Sequence, residues 1–292
     1  MVDVSRRGFL KGLAGVAGAG LLLGHARNGL GGAVRISSGT DVVPLGQTGI
    51  RTSVLGIGTG TNGGRQQRDL GTEGFTALLR HAYQSGVRYI DTADAYMMHV
   101  YIRQAMRGLP REEFFILTKT RARHPEVARA DIERFRRELN TPYLDCVLMH
   151  CMTEGNFPTE MRPVLDVLLE EKAKGRIRAV GVSCHGYEPL VASVDCPDLD
   201  VHLVRINPFK LHMDEEVNKV VDEMKKMAAK GRGILGMKIY GETGYDTREK
   251  RYEAIKLALS LGCVHAFTIG FVKPEQIDET LELISQAAKE LT

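Results

Sequence analysis

Leu144-Asp145-Cys146-Val147-Leu148-Met149-His150 is a short apolar run ending in a histidine, and after it the period changes. Residues 160–174 carry Met161, Val164, Leu165, Leu168 and Leu169 at the spacing of one helix face and stop at Gly175. A glycine there takes up the left-handed conformation that ends a helix. A strand followed by a helix is the unit of a parallel sheet, because a parallel neighbour is reached only by a crossover. The unit recurs. Apolar runs lie at 54–58, 88–92, 114–118, 144–149, 177–182, 201–206, 233–238 and 264–269. Helical periods follow near 72–85, 98–107, 126–139, 160–174, 187–194, 214–230, 247–261 and 274–290. Eight such units favour closure into a (β/α)8 barrel of the TIM type. The competing fold is an open doubly wound sheet. Against it, Gly56-Ile57-Gly58-Thr59-Gly60-Thr61 lacks the third glycine of a dinucleotide-binding turn. Ahead of the barrel, 41–45 and 50–53 flank Gly46-Gln47-Thr48-Gly49 as an N-terminal β-hairpin.

The chain has 292 residues, enough for one such barrel and an N-terminal extension. The net charge is +3 and the basic residues are dispersed, which argues against nucleic acid as a partner. No apolar run reaches the roughly 18–20 residues of a membrane-spanning helix. The five cysteines show no C-x-x-C pair, and an odd number cannot all pair within one chain.

Residues 1–40 have a different character. Ser5-Arg6-Arg7-Gly8-Phe9-Leu10-Lys11 precedes a stretch, Gly12 to Gly24, made only of Gly, Ala, Val and Leu. A charged head before a short apolar stretch is the pattern of a secretory signal. The paired arginines followed by Phe-Leu-Lys resemble the twin-arginine (Tat) export signal. That resemblance implies the Tat machinery as a partner and a periplasmic or membrane-tethered location. Ala26 and Ala33 are candidate cleavage points, and residues 25–40 read as a linker. The domain division is therefore 1–40, signal and linker, and 41–292, barrel.

Barrel enzymes work at the C-terminal ends of their strands. The second run ends in Asp91, the third reaches Lys119 and the fourth ends in His150, with Tyr96 five residues past Asp91. These residue types suit proton delivery to a carbonyl oxygen. A free tyrosine, with a pKa near 10, is a poor acid. A nearby ammonium favours the phenolate and lowers that pKa, and a carboxylate keeps a buried lysine charged. A histidine can hydrogen-bond the substrate oxygen. The expected roles are Tyr96 as acid, Lys119 and Asp91 as its tuning pair, and His150 as the orienting group.

Several segments together resemble the aldo-keto reductase family. Pro44-Leu45-Gly46-Gln47-Thr48-Gly49 is similar to its opening hairpin, and Asp91-Thr92-Ala93-Asp94-Ala95-Tyr96 to its D-T-A-x-x-Y motif. Thr118-Lys119, the run ending in His150, Gly181-Val182-Ser183 and Asn207-Pro208 follow in the family's order. The resemblance implies an NAD(P)-dependent enzyme that reduces a small aldehyde or ketone to an alcohol, or runs the reverse. NADP is the expected cofactor and NAD the alternative. It also implies Ser183, Asn207, Lys238, Gly270, Lys273 and Gln276 as cofactor-binding residues, and a monomer. Tyr240 competes with Lys238 for the family's aromatic position.

The chain departs from the family at Met97-Met98-His99, where a glycine and then a helix glutamate are usual, and at Cys184, where asparagine is common. Gln276 stands where an arginine often holds a 2′-phosphate, leaving Lys273 to replace it as a point charge. The chain ends directly after its last helix, so an open, shallow pocket is expected, with Met97, Met152, Phe157 and Phe209 as candidate walls. Two other readings compete. His150-Cys151 and Cys184-His185 are zinc-competent types, but neighbours along a strand face opposite ways, so no metal is expected. An exported protein meets no free nicotinamide pool, so a non-catalytic binding barrel, or an enzyme recycling a tightly held nucleotide, is the alternative.

Overall fold

A computed structural model describes residues 35–242 and 244–292. The twin-arginine segment falls within 1–34, outside the described residues. From Ser37 the chain is fastened to the hairpin and the barrel. The amides of Ser37 and Ser38 donate to Asp41 Oδ2 at 2.6 and 2.9 Å, and the carbonyl of Gly39 accepts from the Leu55 amide at 2.8 Å.

Strands β1 (Val42–Pro44) and β2 (Arg51–Ser53) pair antiparallel as a hairpin. Eight parallel strands follow: β3 (Leu55–Gly58), β4 (Tyr89–Asp91), β5 (Phe115–Thr120), β6 (Leu144–Met152), β7 (Ile177–Cys184), β8 (Val201–Arg205), β9 (Gly233–Met237) and β10 (Ala266–Gly270). They close into a barrel in the order β10-β3-β4-β5-β6-β7-β8-β9. The (β/α)8 reading is therefore correct, hairpin included.

The helices are α1 (Arg65–Arg68), α2 (Gly71–Gln84), α3 (His99–Ala105), α4 (Pro125–Leu139), α5 (Phe157–Glu160), α6 (Arg162–Ala173), α7 (Tyr187–Val194), α8 (Val217–Ala229), α9 (Arg248–Ser260) and α10 (Pro274–Glu290). Each long helix buries one stripe against the strands, as α4 does with Ile132, Phe135 and Leu139. Full burial of such a side chain is worth about 1.5–3 kcal/mol. The segment predicted as one helix over 160–174 is two, α5 and α6, meeting at Met161. Pro163 sits in the first turn of α6, where its missing N–H costs nothing, so a new helix starts there.

Two local features shape the barrel mouth. A Cβ on Gly181 would stand 2.0 Å from the carbonyl oxygen of Val201, so β7 and β8 approach this closely only with glycine. Strand β6 also runs three residues past its predicted end. Its register against β7 shifts between Met149 and Met152, and Cys151 takes φ +63°. The Ser183 hydroxyl accepts the Cys151 amide at 3.0 Å and holds this bulge directly after His150. All five cysteines are free thiols. Four are buried, and Cys151 is partly so.

Candidate active site

Asp91, Lys119 and His150 sit on the adjacent strands β4, β5 and β6, and the barrel brings all three to one rim. Lys119 Nζ donates to Asp91 Oδ1 and Oδ2 at 2.9 and 3.0 Å and to the Thr92 carbonyl at 2.8 Å. Three acceptors thus face three ammonium protons, and both side chains are buried. Tyr96 closes the short turn Asp94–Tyr96. Its carbonyl accepts Arg68 Nη1 at 2.5 Å, and Arg134 Nη1 pairs with Asp94 at 2.8 Å, so the turn is held from both sides. Tyr96 Oη lies 3.5 Å from His150 Nε2, and Lys119 Nζ lies 4.9 Å from the Tyr96 ring centre. The four residues converge.

Their charge states follow from burial. Burial pushes the Lys119 ammonium toward neutrality, but Asp91, and then Tyr96, hold its pKa above the usual value. Burial raises the Asp91 carboxyl against the pull of Lys119. We take the pair as ionised, because bidentate contact satisfies both partners. Burial raises the Tyr96 phenol. Lys119 lowers it, and Asp91 in turn raises it. The expected downward shift of Tyr96 is thus corrected to an upward one, since burial, helped by Asp91, outweighs the pull of the ammonium. Tyr96 is a held proton at neutral pH. Burial, then the charge of Lys119, brings His150 down to about 2, and burial and Arg205 bring His185 down to about 3. Both imidazoles are neutral, and His150 Nδ1 is buried without a partner.

Beside Tyr96 lies an open cavity walled by the ends of β3, β9 and β10. Of the six predicted cofactor residues, Lys238 and Gly270 line it. Tyr240 lines it too, with its hydroxyl 3.0 Å from Thr280 Oγ1. The other four do not. Ser183 holds the β6 bulge. Asn207 is occupied: Nδ2 donates to the carbonyls of Leu211 and Lys238 at 2.8 and 3.1 Å, and Oδ1 accepts from the Leu211 amide and from Tyr245 Oη. It ties the loop after β8 to the one after β9. Gln276 Oε1 accepts the amides of Val272 and Lys273 at 2.9 and 3.1 Å and so caps α10. Lys273 is exposed beside it.

Among the lining residues the sequence reading missed, four bear on the site. Gly60 approaches Tyr96 so closely that a Cβ would stand 2.6 Å from its ring. Thr268 Oγ1 is buried without a partner. Thr61 is packed against Gly270. Glu242 reaches over the mouth, accepting the Asn62 amide at 3.0 Å while pairing with Lys238 Nζ at 3.0 Å. The glycines at 56, 58 and 60 were the available signal for the first and third. Nothing local marks Glu242 or Thr268. His99, at the departure from the family pattern, is a buried link. Its Nε2 is 2.8 Å from Thr118 Oγ1, next to Lys119, and its Nδ1 is 2.7 Å from Glu138. Of the candidate walls, Met97 and Phe209 are 65% and 44% exposed, whereas Met152 and Phe157 are core. Among the described residues no three His, Cys, Asp or Glu side chains form a metal-binding group.

Gly60→Ala is expected to displace the Tyr96 ring and cut turnover by about a hundredfold, the usual cost of misplacing a reacting group by about 1 Å. Steady-state kinetics beside thermal melting would check it. Unchanged turnover in a folded variant would show that the contact does not position Tyr96.

Comparison with known proteins gives a consistent picture. A family model described as "Aldo/keto reductase family" matches residues 54–256. The "NADH-specific methylglyoxal reductase" of Escherichia coli is 26% identical over 200 residues, covering 60% of this chain and 61% of that protein. The "Aldehyde reductase YPR1" of Saccharomyces cerevisiae is 29% identical over 194 residues, covering 56% of this chain and 58% of that protein. The chain thus spans about six-tenths of the length of these curated relatives. Among solved structures, a putative aldo-keto reductase of Pseudomonas aeruginosa superposes with a TM-score of 0.71 at 25% identity, covering 84% of this chain and 94% of that one.

Proposed function

The chain belongs to the aldo/keto reductase family, and from that premise we propose that it is a nicotinamide-dependent oxidoreductase reducing a small aldehyde or ketone, with Tyr96 as the proton donor. The observation that carries this is the Tyr96 hydroxyl, set between neutral His150 and the Lys119–Asp91 pair at the edge of the cavity.

The cavity suits a nicotinamide dinucleotide. It lies along the ends of β3, β9 and β10 beside Tyr96, and Thr268 Oγ1 awaits a partner. Lys238, Tyr240, Gly270 and Thr268 would hold it. When bound in reduced form, it supplies a hydride to the carbonyl carbon. The chain's own residues do the rest. His150, with its proton on Nε2, and the Tyr96 hydroxyl both donate to the carbonyl oxygen. As negative charge gathers there, Tyr96 gives up its proton and the alcohol forms. The phenolate left behind is stabilised by Lys119 and regains a proton from water. A carbonyl panel with NADPH and with NADH tests the proposal. No nucleotide binding and no turnover would reject it.

NADP is preferred over NAD on the exposed Lys273 ammonium at the start of α10. The ratio of the two dissociation constants decides the matter. Export rests on Arg6 and Arg7. Replacing both with lysine is expected to trap the protein inside the cell, as fractionation against a cytoplasmic marker would show. Unaltered export of that variant would remove the twin-arginine assignment.

A further inference from the structure

Five cations bear on the neutral imidazoles of His150 and His185: Lys119, Arg121, Arg123, Arg205 and Lys238. Three have carboxylate partners. Lys119 holds Asp91, Lys238 pairs with Glu242, and Arg205 Nη1 lies 3.4 Å from Asp214 Oδ1. Arg123 donates only to the carbonyls of Arg121 and Ala122, at 3.3 and 3.4 Å. The guanidinium of Arg121 is exposed and has neither a hydrogen bond nor an ion pair among the described residues.

Its position is set by the strand before it. Thr120, the last residue of β5, is in register with Met149 of β6, so the next residue, Arg121, stands level with His150. Side chains alternate along a strand. Thr120 turns outward to Asp131, its Oγ1 2.5 Å from Oδ2, while Lys119 turns into the site. Arg121 shares the parity of Lys119 and so continues over the mouth. In the eight-strand ring, β5 and β6 stand opposite β9 and β10, which wall the cavity. The free guanidinium therefore flanks Tyr96 and His150 on the side away from the proposed nucleotide.

We propose that Arg121 anchors a carboxylate on the substrate, so that the preferred substrates are carbonyl compounds bearing a carboxylate a short distance from the reacting carbon. The inference rests on the reductase reading and names the substrate class for that same site. A guanidinium presents two parallel N–H groups that match a carboxylate's two oxygens. Arg123 adds a second, longer-range positive charge. The reaction is the one already given: hydride to carbon, proton from Tyr96 to oxygen, and the carboxylate unchanged. Because Arg121 is exposed, the contact weakens with salt.

The test compares 4-carboxybenzaldehyde with its uncharged relative methyl 4-formylbenzoate, using NADPH, the full chain and the variants Arg121→Gln and Arg121→Lys. The wild type is expected to favour the carboxylate at least tenfold in kcat/KM. Arg121→Gln should bring the two aldehydes to near parity, chiefly by raising KM for the charged one, and Arg121→Lys should keep part of the preference. Absence of the preference in the wild type, or its survival in Arg121→Gln, overturns the proposal. Turnover of neither aldehyde would instead count against the reductase reading. Calorimetric titration with 4-carboxybenzaldehyde then decides the anion site alone: binding lost in Arg121→Gln supports it, and equal binding in both proteins overturns it.

Discussion

Tyr96→Phe should slow carbonyl reduction by about a thousandfold, within the range that removal of a general acid costs, while leaving the fold intact. The phenol's contact with His150 Nε2 is long, at 3.5 Å, so little bonding is lost with the hydroxyl. The Phe ring keeps the contact with Gly60 and the edge-on packing against His150 at 5.6 Å. The loss should fall on kcat, with nucleotide affinity unchanged, because the cavity walls remain. Lys119→Met is the instructive contrast. It strands the buried Asp91, and breaking a buried pair costs about 3–5 kcal/mol, so its activity loss mixes chemistry with unfolding. Near-normal turnover by Tyr96→Phe would mean that the proton comes from elsewhere.

Acidification should destabilise the protein progressively below about pH 6.5. Two fully buried histidines carry this: His150, held at about 2 by burial and then Lys119, and His202, held at about 3 by burial and then Arg232. Unfolded, each titrates near 6.5. Below that pH the unfolded chain takes up protons that the folded chain refuses, so stability is complete above about 6.5 and falls as the pH drops toward 3. Two such groups give a slope of about 3 kcal/mol per pH unit. A stability of about 5–15 kcal/mol is then largely spent near pH 4. Urea unfolding midpoints at pH 7.5, 6.5, 5.5 and 4.5 would show it. A flat profile between 6.5 and 5 would mean that one or both imidazoles protonate in place.

The barrel was legible because its signal is local. Each apolar run of the right length is followed by a helical period, and strand ends such as Asp91 and His150 mark the rim without knowledge of the partners. Boundaries failed where geometry beyond the strand intervened. β6 runs on to Met152 because Ser183, thirty-two residues away, holds the Cys151 amide. The same limit applies to the site. Asp91, Lys119 and His150 could be placed by parity and register alone. Asn207 and Gln276 could not, because whether an amide faces a ligand or fastens a loop depends on backbone groups such as the Lys238 carbonyl and the Val272 amide. The direction of the Tyr96 shift was missed for a related reason. Residue types showed the ammonium beside it, but not how fully burial and Asp91 would offset that charge.

The free cysteines acquire a meaning from the proposed route of export. A chain threaded unfolded into an oxidising compartment would expose five thiols to disulfide-forming catalysts before it could fold, and with an odd number some would mispair. A chain that folds first has already sealed Cys146, Cys184, Cys196 and Cys263 in its interior, leaving only Cys151 partly open. On this reading, folding before transport serves the protein as redox protection as much as for cofactor loading. On the proposed route, only the Cys151 thiol would meet an oxidising environment partly open.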